Sequence, residues 1–213
     1  MQPLYLSSDQ LYLRAMIAGD AALAAAWFPG AFPVNGDQAS RWLREQHDTS
    51  PWDGPPHTWL AVVERPTDTT DAERNGAEAV VGGVRMSHPR GRTTDVKIRI
   101  APSIEPVAAD QLQADVMRLV VPWARDELEA MVVTVAIGSD QPVSIAVAQE
   151  LGMLQAARLR DHLARPGRRA DLLWYQALNA DRRVPEVVLT TGALTLVPAG
   201  PEIGGAHEGA SDA

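Results

Sequence analysis

The residues best placed to do chemistry fall between positions 95 and 152. Residues 94–100 alternate, with Val96, Ile98 and Ile100 on one face and Asp95, Lys97 and Arg99 on the other, the pattern of a half-buried strand. A helical pattern follows from about residue 109. A strand that hands over to a helix N-terminus is a natural phosphate cradle, because the first helical N–H groups lack partners and point out of that end. Arg90, Arg92, Lys97 and Arg99 form a basic cluster in an acidic chain; such a cluster receives an anionic ligand or pairs with neighbouring carboxylates. Other chemistries lack the required spacing. His47, His57, His88 and His162 form no H-x-x-x-H or H-E-x-x-H pattern, so no metal site is expected. No G-x-S-x-G elbow is present, and Gly82-Gly83 with Gly91 makes no dinucleotide fingerprint. Cysteine is absent, which removes disulfides, thiolate catalysis and cysteine-type zinc sites.

The elements that must position these residues read as follows. Residues 11–16 alternate weakly and predict a first strand, and Asp20 is placed to cap a helix over 21–27 that Pro29 stops. Asp37 caps a second helix over about 38–46. Residues 58–64 and 79–87 predict strands on either side of the polar stretch 65–77, and Gly82-Gly83 predicts a bulge or a close backbone approach. Leu112, Val116, Leu119, Val120, Trp123 and Leu128 give an amphipathic helix over about 109–129, with Pro122 expected to kink it. The apolar run 131–137 reads as a central strand, 143–151 as a helix closed by Gly152, and 155–163 and 172–178 as two last strands. The order predicts an α+β (mixed α/β) fold with one mixed central sheet flanked by helices. One domain is expected over residues 1–180, an extra strand or hairpin around Gly192 over 181–197, and a disordered tail over 198–213.

The 213 residues suffice for a sizeable core, and 46% hydrophobic with 22% charged residues is ordinary for a soluble domain. A net charge of −8 argues against nucleic acid as the main partner. No apolar run approaches the roughly 20 residues that span a bilayer, and positions 1–9 lack a signal-peptide pattern, so no membrane partner and a cytoplasmic location are expected. Trp27, Trp42 and Trp52 are candidates for a groove, whereas Trp59, Trp123 and Trp174 lie in regular elements and read as core.

Four segments carry a family resemblance. They are Leu13-Arg14 with Asp20 and Trp27, the helix segment 119–128, Gln141-Pro142-Val143-Ser144 followed by Glu150-Leu151-Gly152-Met153, and Arg158-Leu159-Arg160 with Gly167 and Asp171. In order and spacing they resemble the GNAT superfamily of acyl-CoA-dependent N-acetyltransferases, most closely its RimJ/RimL-like subgroup, over about residues 11–178. The resemblance implies a fourth strand splayed from the fifth, with the acyl-CoA thioester lying in the gap and its pyrophosphate on the loop and helix start that follow. It implies acetyl-CoA as cosubstrate, no metal, a small-molecule or peptide primary amine as acceptor, and direct attack of that amine.

Carried over residue by residue, the resemblance makes Asp95 the candidate base and Ser144 a thiolate-side acid or CoA contact. Ile100, Ala101, Gln111, Leu112, Gln113, Ala114 and Asp140 complete the expected cofactor-binding set. Asp140 stands where relatives carry Asn. The stretch 108–114, matched to the family's pyrophosphate loop, lacks its glycines and its basic residue, and Asp110 is expected to compete with phosphate there. The helix N–H groups of 111–114 remain to bind phosphate. The reading is an N-acetyltransferase; its alternative is a catalytically degenerate GNAT-fold protein that binds a metabolite or a protein. The segment 184–197 offers an edge for a homodimer.

Overall fold

The computed structural model describes residues 4–28, 35–47, 57–65, 79–87 and 93–179. The expected hairpin at 181–197, the tail at 198–213, Trp52 and the pair Arg90 and Arg92 lie outside these residues.

Among the described residues, eight strands form one sheet in the order β1-β2-β3-β4-β5-β6-β8-β7. They are β1 (Leu4–Ser7), β2 (Leu11–Ala15), β3 (His57–Glu64), β4 (Ala79–Ser87), β5 (Thr93–Ile100), β6 (Val132–Gly138), β7 (Leu154–Arg165) and β8 (Arg168–Leu178). Every neighbouring pair is antiparallel except β5 and β6, which run parallel. The helices are α1 (Ala21–Trp27), α2 (Gly36–His47), α3 (Pro106–Asp126) and α4 (Pro142–Glu150). This is the α+β class with a single mixed sheet that the sequence predicts, with β1 as an added edge strand.

Alternation along the strands sends side chains to two cores. Leu60, Val84, Val96, Ile98, Val133 and Val135 face α3, where Ala114, Met117, Val120 and Val121 close the main core. On the opposite face Trp59, Ala61 and Val63 of β3 pack with Met16, Trp27, Phe28 and Leu43 under α1 and α2. Trp27 is thus a core residue, not part of a groove, and Trp42 packs edge-on against Trp59 at 5.7 Å. The two glycines of β4 permit close approach on both faces. A Cβ on Gly82 would lie 2.6 Å from the Arg99 carbonyl oxygen, and one on Gly83 would lie 2.5 Å from Met16 Cε. The predicted bulge is present: Val62 and Val63 oppose Gly82 and Val80, leaving Val81 as the extra residue. The carbonyl of Val81 accepts the Ala101 N–H at 2.8 Å, so the bulge fixes the start of the loop after β5.

Two local expectations are corrected. Asp20 makes no side-chain cap to α1; its carboxylate takes Arg14 through both oxygens (2.7 and 3.1 Å) and the Ile17 N–H (2.8 Å) in a nearly solvent-free pair. The helix α3 begins at Pro106, three residues before the expected start, because proline fits the first helical position, where an N–H is not needed. It runs unbroken through Pro122 to Asp126, and Glu129, at φ 53°, turns the chain away.

Candidate functional site

The β5–β6 ladder joins Thr93 to Val132, Thr94 to Val133, Asp95 to Thr134 and Val96 to Val135, and stops there. Both strands continue, β5 to Ile100 and β6 to Gly138, without pairing to each other. A cavity of about 520 Å³ occupies the gap, walled by Ile98, Arg99 and Ile100 on one side and Ala136 and Gly138 on the other. Its remaining walls come from Pro106, Ala109 and Gln113 of α3, from Asp140 and Gln141 before α4, and from the β7–β8 turn. Small residues on β6 keep the gap open. A Cβ on Gly138 would lie 2.5 Å from Asp140 Oδ1 and 3.0 Å from both Arg165 Nη2 and Gln141 Oε1.

Hydrogen bonds hold the rim. The Gly138 N–H donates to Gln141 Oε1 (2.7 Å), and Gln141 Nε2 donates to Gln113 Oε1 (3.0 Å), which links the end of β6 to the first turns of α3. Asp140 accepts from Arg165 Nε (2.9 Å) and Arg168 Nη2 (3.1 Å). The Arg165 hydrogen bond is the main reason its carboxyl is held below the ordinary carboxylate range. The two guanidiniums compensate the charge that Asp140 brings to this rim.

Of the expected cofactor residues, the cavity gathers Ile100, Gln113 and Asp140. It does not gather Ala101, Gln111, Leu112, Ala114 or Ser144. The earlier start of α3 explains most of this. With Ala109 N–H bonded to the Glu105 carbonyl, residues 111–114 stand in the second turn, and the N–H groups left over at the helix start belong to Val107 and Ala108. Gln111 donates outward to Asp115, Leu112 packs on the main core, and Ala114 is fully buried within it.

Ser144 is fully buried, and its Oγ donates to Asp110 Oδ1 at 2.6 Å, which keeps it away from the cavity. Asp110 likewise faces away from the gap. Its carboxylate also accepts the backbone N–H groups of Val143 (2.9 Å) and Ser144 (3.0 Å), so it caps the start of α4 from the neighbouring helix. The charge expected to compete with phosphate is therefore committed to α4.

Asp95 sits on the sheet face opposite α3, half-buried, at the last stretch of paired ladder. It accepts from Thr134 Oγ1 (3.2 Å) and lies 3.8 Å from Lys97 Nζ. Sequence reasoning missed Gly138, Gln141, Arg165 and Arg168; the turn Arg165-Pro166-Gly167-Arg168, with a cation at each end, was the available signal.

No protein-family model and no curated protein sequence matches the chain. Solved structures do. A protein of Sphaerobacter thermophilus assigned as an acetyltransferase is similar with 40% sequence identity and a TM-score of 0.62, over 85% of this chain and 99% of that one. Mutant forms of the spermidine/spermine N-acetyltransferase SpeG from Vibrio cholerae are similar in fold, with 16% identity and a TM-score of 0.54 over 81% of this chain and 96% of theirs. A dodecameric form of that spermidine acetyltransferase gives a TM-score of 0.53 at 16% identity over 82% of this chain and 96% of its own. Shared identity over nearly the whole length of the Sphaerobacter protein, a matching sheet and a ladder that opens into a cavity agree, and the chain belongs to the GNAT superfamily of acetyltransferases.

Proposed function

We propose that the cleft between β5 and β6 transfers an acetyl group from acetyl-CoA to a primary amine, as in the RimJ/RimL-like subgroup. The observation that carries this reading is the ladder that stops at Val96 and Val135 and leaves a cavity beyond. That volume falls in the range of small-molecule sites, roughly 300–1,000 Å³. Acetyl-CoA supplies the activated carbonyl as a thioester. Unpaired backbone groups of β5 beyond Val96 face the gap and are the chain's means of polarising that carbonyl. The N–H groups of Val107 and Ala108 offer the pyrophosphate a helix start, although the preceding loop 101–105 contains no glycine and no cation.

In the step itself a C–N bond forms and the C–S bond breaks; the amine's proton goes to a base and the departing thiolate takes one up. Asp95 is the proposed base, reached through water from the open end of the gap. Ser144, buried against Asp110, is assigned no proton in this step.

Calorimetry with acetyl-CoA and with free CoA tests the reading. Micromolar affinity for both, followed by CoA release when amines are added, is the expected result. Absence of heat at millimolar ligand overturns it and leaves a GNAT fold that binds another metabolite or a protein, the reading that the altered loop favours. With turnover in hand, Asp95→Asn is expected to lower kcat by about 10²–10⁴-fold at unchanged acetyl-CoA affinity; unchanged kcat removes Asp95 from the role.

A further inference from the structure

The sheet face opposite α3 carries cations in register where it borders the cleft. Trp59 of β3 is opposite Arg85 of β4, and Arg85 is opposite Lys97 of β5. Arg99, two residues further along β5, is on the same face, opposite Gly83, and lines the cavity. Like charges directly opposite one another across a sheet destabilise it. A local carboxylate relieves it on the Lys97 side alone. Lys97 has Asp95 at 3.8 Å. Among the described residues, Arg85 and Arg99 have no carboxylate partner. Arg85 lies over the Trp59 ring at 5.8 Å, and its buried Nε has no hydrogen-bond acceptor. Arg99 spends one N–H on the neighbouring Ile98 carbonyl at 3.3 Å. Although Arg99 is exposed overall, partial burial first, then Arg85 and Arg165, pulls its guanidinium below the usual arginine range. A guanidinium without a carboxylate partner is one that an anion can pair with through its terminal nitrogens.

The nearby cations at the other rim are already occupied. Arg165 and Arg168 both bond to Asp140. The helix start available to a phosphate, at Pro106, belongs to the layer on the other side of the sheet. Arg85 and Lys97 do not line the cavity and extend the cationic row away from it along β4 and β5. A molecule seated against a thioester in the gap on this side has Arg99 nearest, with Lys97 and Arg85 further along the sheet.

We propose that the acceptor is a primary amine that also bears an anionic group, a carboxylate or a phosphate, held by Arg85 and Arg99 on the face opposite α3. The proposal rests on the acetyl-transfer reading and narrows its acceptor. The guanidiniums take the anion in a planar, two-toothed manner, Lys97 adds a point charge, and Asp95 next to Lys97 is left for the ammonium end. A polyamine such as spermidine would bring positive charge against three cations with one carboxylate beside them.

The test pairs amines that differ only in the anion: ethanolamine with O-phosphoethanolamine, glucosamine with glucosamine 6-phosphate, cadaverine with lysine, and spermidine as the polycation. CoA release from acetyl-CoA is the readout, with acetyl-CoA affinity measured separately by calorimetry. The best substrate is expected to be an anion-bearing member, at least tenfold above its partner in kcat/KM. Arg85→Gln should erase that gap at unchanged acetyl-CoA affinity, and Arg85→Lys should restore part of it. A neutral amine or spermidine as best substrate, or a gap that survives Arg85→Gln, overturns the proposal.

If acetyl-CoA does not bind, the acetyl-transfer reading fails by itself, and calorimetry of O-phosphoethanolamine against ethanolamine judges the anion site. Binding of the phosphate-bearing member at least tenfold tighter, lost in Arg85→Gln, keeps the site. Equal or absent binding removes it.

Discussion

Removing the Asp110 carboxylate is expected to unseat the start of α4. Three donors converge on it, the N–H groups of Val143 and Ser144 and the Ser144 hydroxyl, and Asp110 and Ser144 are both buried. Asp110→Ala leaves these donors without an acceptor and should lower unfolding free energy by about 2–3 kcal/mol. Asp110→Asn replaces one acceptor oxygen by a donor and should lose about 1–2 kcal/mol, both read from urea midpoints at fixed m-value. His57 gives a second residue-level prediction, in pH. Burial first, then the cations of Arg85 and Lys97, hold its pKa below the ordinary imidazole value; Ser87 and Asp95 share its cross-strand row. The unfolded chain therefore takes up this proton before the folded one does. Stability from this group is complete above about pH 6.5 and falls as the pH drops below it. His57→Gln should flatten the change in urea midpoint between pH 7.5 and 5.5 relative to the parent; an unaltered slope would show that other groups set it.

The cleft depends on how β6 ends. Gly138→Ala puts a methyl group 2.5 Å from Asp140 Oδ1 and against Arg165 and Gln141, all three held by hydrogen bonds. The substitution is expected to weaken acetyl-CoA binding by at least tenfold in calorimetry, because the rim must break a contact or the methyl must enter the cavity. This feature also marks where sequence reading stopped. Strands β3 to β6 and helix α4 were legible because each combines one hydrophobic period with a clear stop, such as Gly152 with φ 71° after α4. The start of α3 is less legible, because the apolar period begins only at Leu112, whereas Pro106 is the stronger local signal. The start at Pro106 places residues 111–114 a turn beyond the helix start, where the N–H groups left over belong to Val107 and Ala108. The roles of Ser144 and Asp110 were not legible, since residues thirty-four positions apart meet only when α3 and α4 pack. The basic character of Lys97 and Arg99 was legible; their alignment with Arg85 required the register of β4.

At the scale of the molecule, one sheet serves two cores, and β3 divides its side chains between them. Leu60 and Val62 enter the core under α3, while Trp59, Ala61 and Val63 enter the core under α1 and α2. Neither core can lose its sheet face without displacing residues of the other, and residues 1–183 cluster as one compact unit. The expectation is a single cooperative transition for this unit. Leu60→Ala in the first core and Leu43→Ala in the second, both essentially solvent-free positions, should each lower unfolding free energy by about 2–5 kcal/mol. The far-UV circular dichroism and tryptophan fluorescence curves should superimpose in the parent and in both variants, with an unchanged m-value. Because Trp27 and Trp59 report on the second core and Trp123 on the first, separate cores would split the fluorescence curve. A Leu43→Ala variant whose fluorescence shifts while its far-UV signal stays would show α1 and α2 unfolding alone. In that case the cationic face beside them could open without loss of the cleft, and acceptor binding would be separable from acetyl-CoA binding by denaturant.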